Sequence, residues 1–374
     1  MTPAQIKAWA WVHKWSSLVC TSFLLVLCVT GLPLLFADQI EAALNPTRPP
    51  APLAASAPRA SLDPMVRTAE RLRPHEVVTG IFLEPAEPVV EVHTAVSHAA
   101  ANADPGNLHT LKFDAGTGAM LSAAADTGGA SNRLNQFFFA LHSRLLMGTL
   151  GLVLIGIMGS MFIVALISGA VLYAPFMRRL PFGAVRRDRS ARAGRLDLHN
   201  LLSAIVLAWA LVVGATGVLN ELNDPLFDHW SRQVVGAQAS RWNGIAAPSG
   251  GHLASVQAAL DVARRARPAL TFTGIDYPGA SLNSNRHYMI WGRGSTPATA
   301  QLFTPVMVDA VDGRLTAVLP MPWYLRAIEI SRPFHFGDYG GLPLKVIWTL
   351  FDLATIGVLI TGLQLWLRPR KQTA

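Results

Sequence analysis

Residues 145–173 read LLMGTLGLVLIGIMGSMFIVALISGAVLY, without a single charged side chain. A run this apolar, longer than the ~20 residues that span a ~30 Å hydrocarbon core, predicts a transmembrane helix. Three more runs have the same character: Leu18–Phe36, Leu201–Leu219 and Leu344–Leu367. The last holds one acid, Asp352, which is expected to face protein or a water-lined site. Charged residues make up 14% of the 374-residue chain, against roughly 25% in soluble domains. The fold class that follows is a four-helix membrane protein.

Charge sets the orientation. Lys7 and Lys14 precede or open the first run, Arg178, Arg179, Arg186, Arg187, Arg189, Arg192 and Arg195 crowd the short link between the second and third, and Arg368, Arg370 and Lys371 follow the fourth. The positive-inside rule puts these segments and both termini in the cytoplasm, and the two long connections outside. The net charge of +8 is thus topogenic. No basic surface interleaved with aromatics lies outside this pattern, which excludes a nucleic-acid partner and leaves membrane lipid. The first run is too long for a signal-peptide core and lacks a small-x-small cleavage site, so it reads as a retained helix. Cys20 and Cys28, two turns apart on that one helix, cannot bridge each other.

The chain also repeats itself. His13 and His199 open runs one and three, 186 residues apart, as are Thr30-Gly31 and Thr216-Gly217. Ala69–Ile81 and Ala263–Ile275 share A-x-R-x-R-P-x-x-x-x-T-G-I, shifted by 194; Asp114–Gly118 and Asp309–Gly313 share D-A-x-x-G, shifted by 195. His142 and His335 precede runs two and four, 193 apart, and Gly169 and Gly362 keep that shift, after Ile-Ser and Ile-Thr. This predicts a tandem, parallel duplication about a two-fold axis along the membrane normal. Each half carries a small α+β external module. In the first, a helix over Asp63–Arg73 precedes strands Val77–Leu83, Val89–Thr94 and Leu108–Asp114; in the second, a helix over His252–Arg267 precedes strands Thr271–Tyr277, His287–Gly292 and Gln301–Asp309. Asn45–Arg59, rich in Pro and Ala, reads as an extended linker. The predicted segments are 1–38 (helix), 39–141 (linker and first module), 142–177 (helix), 178–198 (basic loop), 199–220 (helix), 221–341 (second module) and 342–374 (helix and tail).

Topology sorts the histidines. His13 and His199 fall at one depth and His142 and His335 at the other. Two imidazoles from different helices at one depth can supply both axial ligands of a haem iron, a pairing suited to electron transfer. The plainer reading is four interfacial histidines. Zinc or copper lacks support, because no carboxylate or thiol accompanies them at fixed spacing. Gly31 and Gly217 lie 18 residues, five turns, beyond His13 and His199 and share their helix face. They leave room for a flat macrocycle at the opposite depth, or for close helix packing. The same phase test fails for Gly169 against His142, and His335 is expected to precede its helix because Gly340, Gly341 and Pro343 intervene. Arg144 and Arg332 near one pair, and Lys14 and Arg195 near the other, are candidate propionate partners or simple topogenic charge. Asp224, Asp228 and His229 form a candidate polar cluster. Trp230, Trp242, Trp323 and Tyr324 read as belt or core residues, or as a substrate platform.

The motifs H-K-W at 13–15, L-H-S at 141–143, H-N-L-L at 199–202 and F-H-F-G-D-Y-G-G at 334–341, in this order and duplicated, resemble the PepSY-associated transmembrane helix family across nearly the whole chain. The external modules look like PepSY domains, with D-A-x-x-G as their last turn. The resemblance implies a multi-pass protein of the bacterial inner membrane, in a family that includes haem-containing siderophore reductases. It further implies two b-type haems, one on His13 and His199 and one on His142 and His335, and a ferric-siderophore substrate. Positions 143–144 read Ser-Arg where many relatives place a basic residue directly after the histidine, which bears on the propionate partner and not on the ligand. No flavin or nicotinamide motif is present in the sequence, so the expected donor is another protein, a soluble reductant or a quinol. Two other functions fit the resemblance: a non-enzymatic scaffold or regulator with peptide-binding modules, and a haem carrier serving a periplasmic protein.

Overall fold

The computed structural model describes residues 1–44, 58–83, 88–103, 105–123, 130–177, 182–186, 190–242, 253–280, 284–296 and 299–367. Arg178, Arg179, Arg187, Arg189, Arg368, Arg370, Lys371, His252 and linker residues 45–57 lie outside these. In chain order the elements used below are α1 (Pro3–Leu35), α2 (Leu62–Leu72), β1 (Val77–Leu83), β2 (Val89–Ala95), β3 (His109–Asp114), β4 (Met120–Ala123), α3 (Ala130–Arg144), α4 (Gly148–Met177) and α5 (Ala191–Glu221). They continue with α6 (Val256–Ala266), β5 (Leu270–Asp276), β6 (His287–Gly294), β7 (Phe303–Asp309), β8 (Leu315–Val318), α7 (Trp323–Phe336) and α8 (Gly341–Leu367). The chain forms two compact units, one helical and one built on the sheet.

In the helical unit, α1, α4, α5 and α8 are long and apolar enough to cross a membrane. They close a ring in which α1 packs on α4, α4 on α5, α5 on α8 and α8 on α1. Buried Cys20, Leu24, Met158 and Leu359 pack together inside it. Val19, Val26, Leu150, Val153, Ile157, Ile167, Ile205, Val212, Val346 and Leu350 point outward and are exposed. So much outward apolar surface is stable against lipid and a liability in water. The protein is a membrane protein. Helices α1 and α5 begin well before their apolar runs, where Thr2 and Ser190 cap the first turn through their side chains. His13 and His199 therefore sit inside their helices instead of at the first turn.

His142 and His335 ride on α3 and α7, which end just before the spanning helices α4 and α8. The reversal after α7 uses Gly337 and Gly341 at positive φ. The first half places Leu145 (φ 49°) and Leu146 (φ 58°) there, followed by Gly148 at φ 57°. A left-handed leucine costs about 1–2 kcal/mol, so tertiary contacts hold this turn against local preference.

The sheet unit corrects the expectation of separate modules. Its eight antiparallel strands run β4-β3-β2-β1-β5-β6-β7-β8 in one sheet, because the first strands of the two halves pair with each other. The pairs are Gly80↔Asp276, Ile81↔Ile275 and Phe82↔Gly274. Ile81 thus faces its own counterpart, Gly80 and Phe82 face each other's, and the join covers two edges that would otherwise be exposed. Helices α2 and α6 bury the same positions at the 194-residue shift: Leu62, Met65, Val66 and Ala69, and Val256, Ala259, Leu260 and Ala263. One hydrophobic core runs under both helices. Strands β4 and β8 were not anticipated. They follow the D-A-x-x-G turns, in which Asp114 Oδ1 accepts from the Gly116 and Thr117 N–H groups and Asp309 Oδ1 from those of Val311 and Asp312. Gly118 (φ 74°) and Gly313 (φ 71°) supply the left-handed step that side chains resist.

A pH response follows from β2 and β3. Glu91 faces Lys112 across the strands and pairs with both His93 and Lys112. The His93 hydrogen bond, with Lys112 adding to it against the opposing effect of burial, holds the Glu91 carboxyl down at about 2. Its folded pKa is below the unfolded value of about 4.3. The contribution is therefore complete above that value and is lost as pH falls toward 2. The denaturation midpoint of the sheet unit should drop between about pH 5 and pH 2, and Glu91→Gln should flatten part of that drop.

Candidate cofactor site

The four paired histidines are built into the helical unit by one repeated local device. His13 Nδ1 bonds the Ala165 carbonyl at 2.9 Å and Ser168 Oγ at 3.3 Å. His199 Nδ1 bonds the Val358 carbonyl and Thr361 Oγ1, both at 3.1 Å. His335 Nδ1 bonds the Val213 carbonyl at 3.0 Å and Thr216 Oγ1 at 3.2 Å. His142 Nδ1 bonds Thr30 Oγ1 at 3.0 Å, with the Leu27 backbone beside it. Each seat is a carbonyl at position n, a hydroxyl at n+3 and a glycine at n+4 on the facing helix.

The glycines complete the seats. A Cβ on Gly31 would lie 3.2 Å from His142 Cε1, on Gly169 3.0 Å from His13 Cε1, on Gly217 3.2 Å from His335 Cε1, and on Gly362 3.3 Å from His199 Cε1. The space over Gly31 and Gly217, read from sequence as a gap for a macrocycle or for helix packing, is filled by imidazole. The phase test compared each glycine with a histidine of its own helix, whereas all four glycines face histidines from other elements.

Seating fixes the tautomer. A carbonyl only accepts, and the seat hydroxyls donate their own protons to helix carbonyls, as Thr30 does to Val26 and Thr361 to Gly357, each at 2.7 Å. Nδ1 must then carry the ring proton in all four residues. That leaves each Nε2 with an open lone pair, the form a metal-ligating histidine takes.

Seating also fixes the pairing. His13 sits on α4 and His142 on α1, while His199 sits on α8 and His335 on α5, so neighbouring helices clasp reciprocally. The His142 and His335 rings lie 6.5 Å apart, centroid to centroid, at an interplanar angle of 64°. Two imidazoles sharing one metal, with bonds of about 2.0 Å and about 1.1 Å from each nitrogen to its ring centre, have centroids roughly 6.2 Å apart. The separation fits. At the other end of the bundle His13 and His199 are within electrostatic reach of each other. From His199 to Thr216 along α5 is about 25 Å. Asp197, two residues before His199, is buried and takes both guanidinium bonds and the backbone N–H of Arg186 at 2.8–2.9 Å. This ties the start of α5 in place.

Other candidates fall elsewhere. Arg332 is half-buried one turn before His335, and Arg144 ends α3 two residues after His142. Asp228 pairs with Arg232 and not with His229. Trp230 is a core residue, its Nε1 donating to the Pro320 carbonyl at 3.1 Å, whereas Trp323 is 80% exposed. His93, His109 and His287 bond Glu91, Glu76 and Ser284. Among the described residues no group of three or more His, Cys, Asp or Glu is placed to hold a metal ion. The residues missed from sequence were the four seat hydroxyls, Thr30, Ser168, Thr216 and Thr361; the recurring Ser/Thr-Gly dipeptides were their signal.

A family model described as PepSY-associated TM region matches residues 10–368. No curated protein matches the chain.

Proposed function

The chain belongs to the PepSY-associated transmembrane family, and from that premise we propose that it is a di-haem reductase of the bacterial inner membrane. It delivers electrons outward to a periplasmic ferric siderophore. In this reading His142 and His335 hold the outer b-type haem and His13 and His199 the inner one. Haem held by two histidines supplies reversible one-electron transfer. The protein was built by tandem duplication of a helix–PepSY-like module–helix unit, with both termini cytoplasmic. Its donor is a cytoplasmic protein, a soluble reductant or a quinol. Reduction loosens iron from hard-oxygen chelating groups, so no acid–base or nucleophilic side chain is required.

The observation that carries this reading is the four seated imidazoles. Each presents an unprotonated Nε2, and one pair stands at the separation expected for a shared metal. The seats hold the rings against rotation, so both redox states meet the same ligand geometry. Arg144 and Arg332 near the outer pair, and Lys14 and Arg195 near the inner, supply positive charge for propionates.

The test is to purify the full chain, reduce it with dithionite, remove the excess and add ferric siderophore under anaerobic conditions. Return of the oxidised haem spectrum within the mixing experiment is expected. Haem that stays reduced would redirect the function to a periplasmic protein acceptor, and absence of a Soret band would favour a peptide-binding scaffold. A finer expectation concerns one seat. Thr361→Val removes a hydrogen bond from His199 and leaves the Val358 carbonyl, so the inner haem should be held about tenfold more weakly. Haem release to an apoprotein acceptor measures this.

A further inference from the structure

Midway along α8, Asp352 is a buried carboxyl, 8% exposed. The Cys28 thiol of α1 lies close to its carboxyl, and Oδ2 has no hydrogen-bond partner. Trp209 of α5 packs its ring 5.8 Å from Phe351, the residue before Asp352, and Trp209 Nε1 is also buried without a partner. Two unsatisfied polar groups this deep in a bilayer protein are costly and need a reason.

The repeat shows that the polar pair is specific to one side. Shifted by 186, Cys28 maps to Gly214; shifted back by 193, Asp352 maps to Gly159. The related interface of α4 and α5 is thus glycine and apolar, with Gly159 facing Val218 and Gly214 facing Phe162. An architecture that packs well with glycines carries a carboxyl and a thiol at one copy only.

Position matters as much. Cys28 lies within the outer histidine seat, Leu27–Gly31, and Asp352 lies six residues, about 9 Å, before Val358 of the inner seat. Asp352 therefore stands along α8 between the levels of the two histidine pairs. Few charges compete there. Beyond Lys14, α1 presents two titratable groups, the thiols of Cys20 and Cys28. Between His199 and Glu221, α5 has none, and α4 has only Tyr173. On α8 itself, Lys345 pairs with Asp338 at 3.1 Å and lies 4.0 Å from Asp38.

We propose that Asp352, with Cys28 as its partner, is a proton-binding site within the membrane that takes up one proton when the neighbouring histidine-held centre gains one electron. The proposal rests on the haem reading above. An oxidised bis-histidine haem carries net positive charge, which favours a carboxylate nearby; after one-electron reduction that charge is gone, and an ionised carboxyl in low dielectric is strongly disfavoured. The electron comes from the reductant that the reaction already needs. The proton comes from water and ends on the carboxylate, so Asp352 becomes a neutral acid.

The experiment is a potentiometric titration of the haem bands in the full-length protein in lipid nanodiscs, from about pH 5.5 to 8.5, for the wild type and Asp352→Asn. One midpoint of the wild type should fall as pH rises, by 59 mV for each tenfold change in proton activity for one electron. Asp352→Asn should keep both haems and lose the slope. The reduced-minus-oxidised infrared spectrum should show a carboxylic C=O band that shifts in D2O and is missing in the variant. If the variant does not fold, the wild-type midpoints and infrared spectrum decide. Flat wild-type midpoints, or a slope unchanged in Asp352→Asn, overturn the proposal while leaving the haem reading intact. A chain with no haem bands overturns both.

Discussion

On the proposed di-haem reading, His335→Ala should lower the haem content of the purified protein from two per chain to one. The His335 ring is held by the Val213 carbonyl and Thr216 on one side and stands 6.5 Å from His142 on the other. Alanine would remove one of the two proposed ligands and leave His142 without its counterpart. The Val213 carbonyl stays within α5, where the helix itself supplies a donor, so the substitution strands no buried backbone group. The inner pair, seated on α4 and α8, is untouched. Haem per chain and the outer centre's spectrum provide the readout. Retention of two unaltered haems would show that this pair is interfacial and holds no iron.

Ile81→Asp destabilises the sheet unit by roughly 4 kcal/mol or more. Ile81 is fully buried and pairs with Ile275, itself 1% exposed, at the centre of the join between the two halves. A carboxylate there has no cation and no water. Phe82→Asp, one residue on, is the control: Phe82 is 48% exposed on the other face, and a charge there remains hydrated. Limited proteolysis of the full-length protein across a denaturant series separates the two. Equal resistance in both variants would contradict the shared core.

The four spans were legible because lipid solvation is a local property of sequence: an unbroken apolar run needs no partner to be recognised. Their starts were less so. Pro3 and Ala191 begin helices in polar sequence, set by the Thr2 and Ser190 caps and not by hydropathy. The β1–β5 join was invisible for the opposite reason, since strand pairing is non-local and two first strands with alike sequences carry no mark saying that they pair with each other. At the site, the recurrence of His13, His142, His199 and His335 gave the depth-matched pairs. The phase test on Gly31 and Gly217 looked along one helix, whereas the seats act between helices. Ser168-Gly169 and Thr361-Gly362 would have completed the pattern, had the partner of each dipeptide been sought on the neighbouring span.

Haem stoichiometry decides most directly whether these seats serve a redox protein. A pyridine haemochrome assay on the full-length chain, purified from haem-replete cells, should return two b-type haems per polypeptide. A value of zero, with the helices intact by circular dichroism, would contradict it.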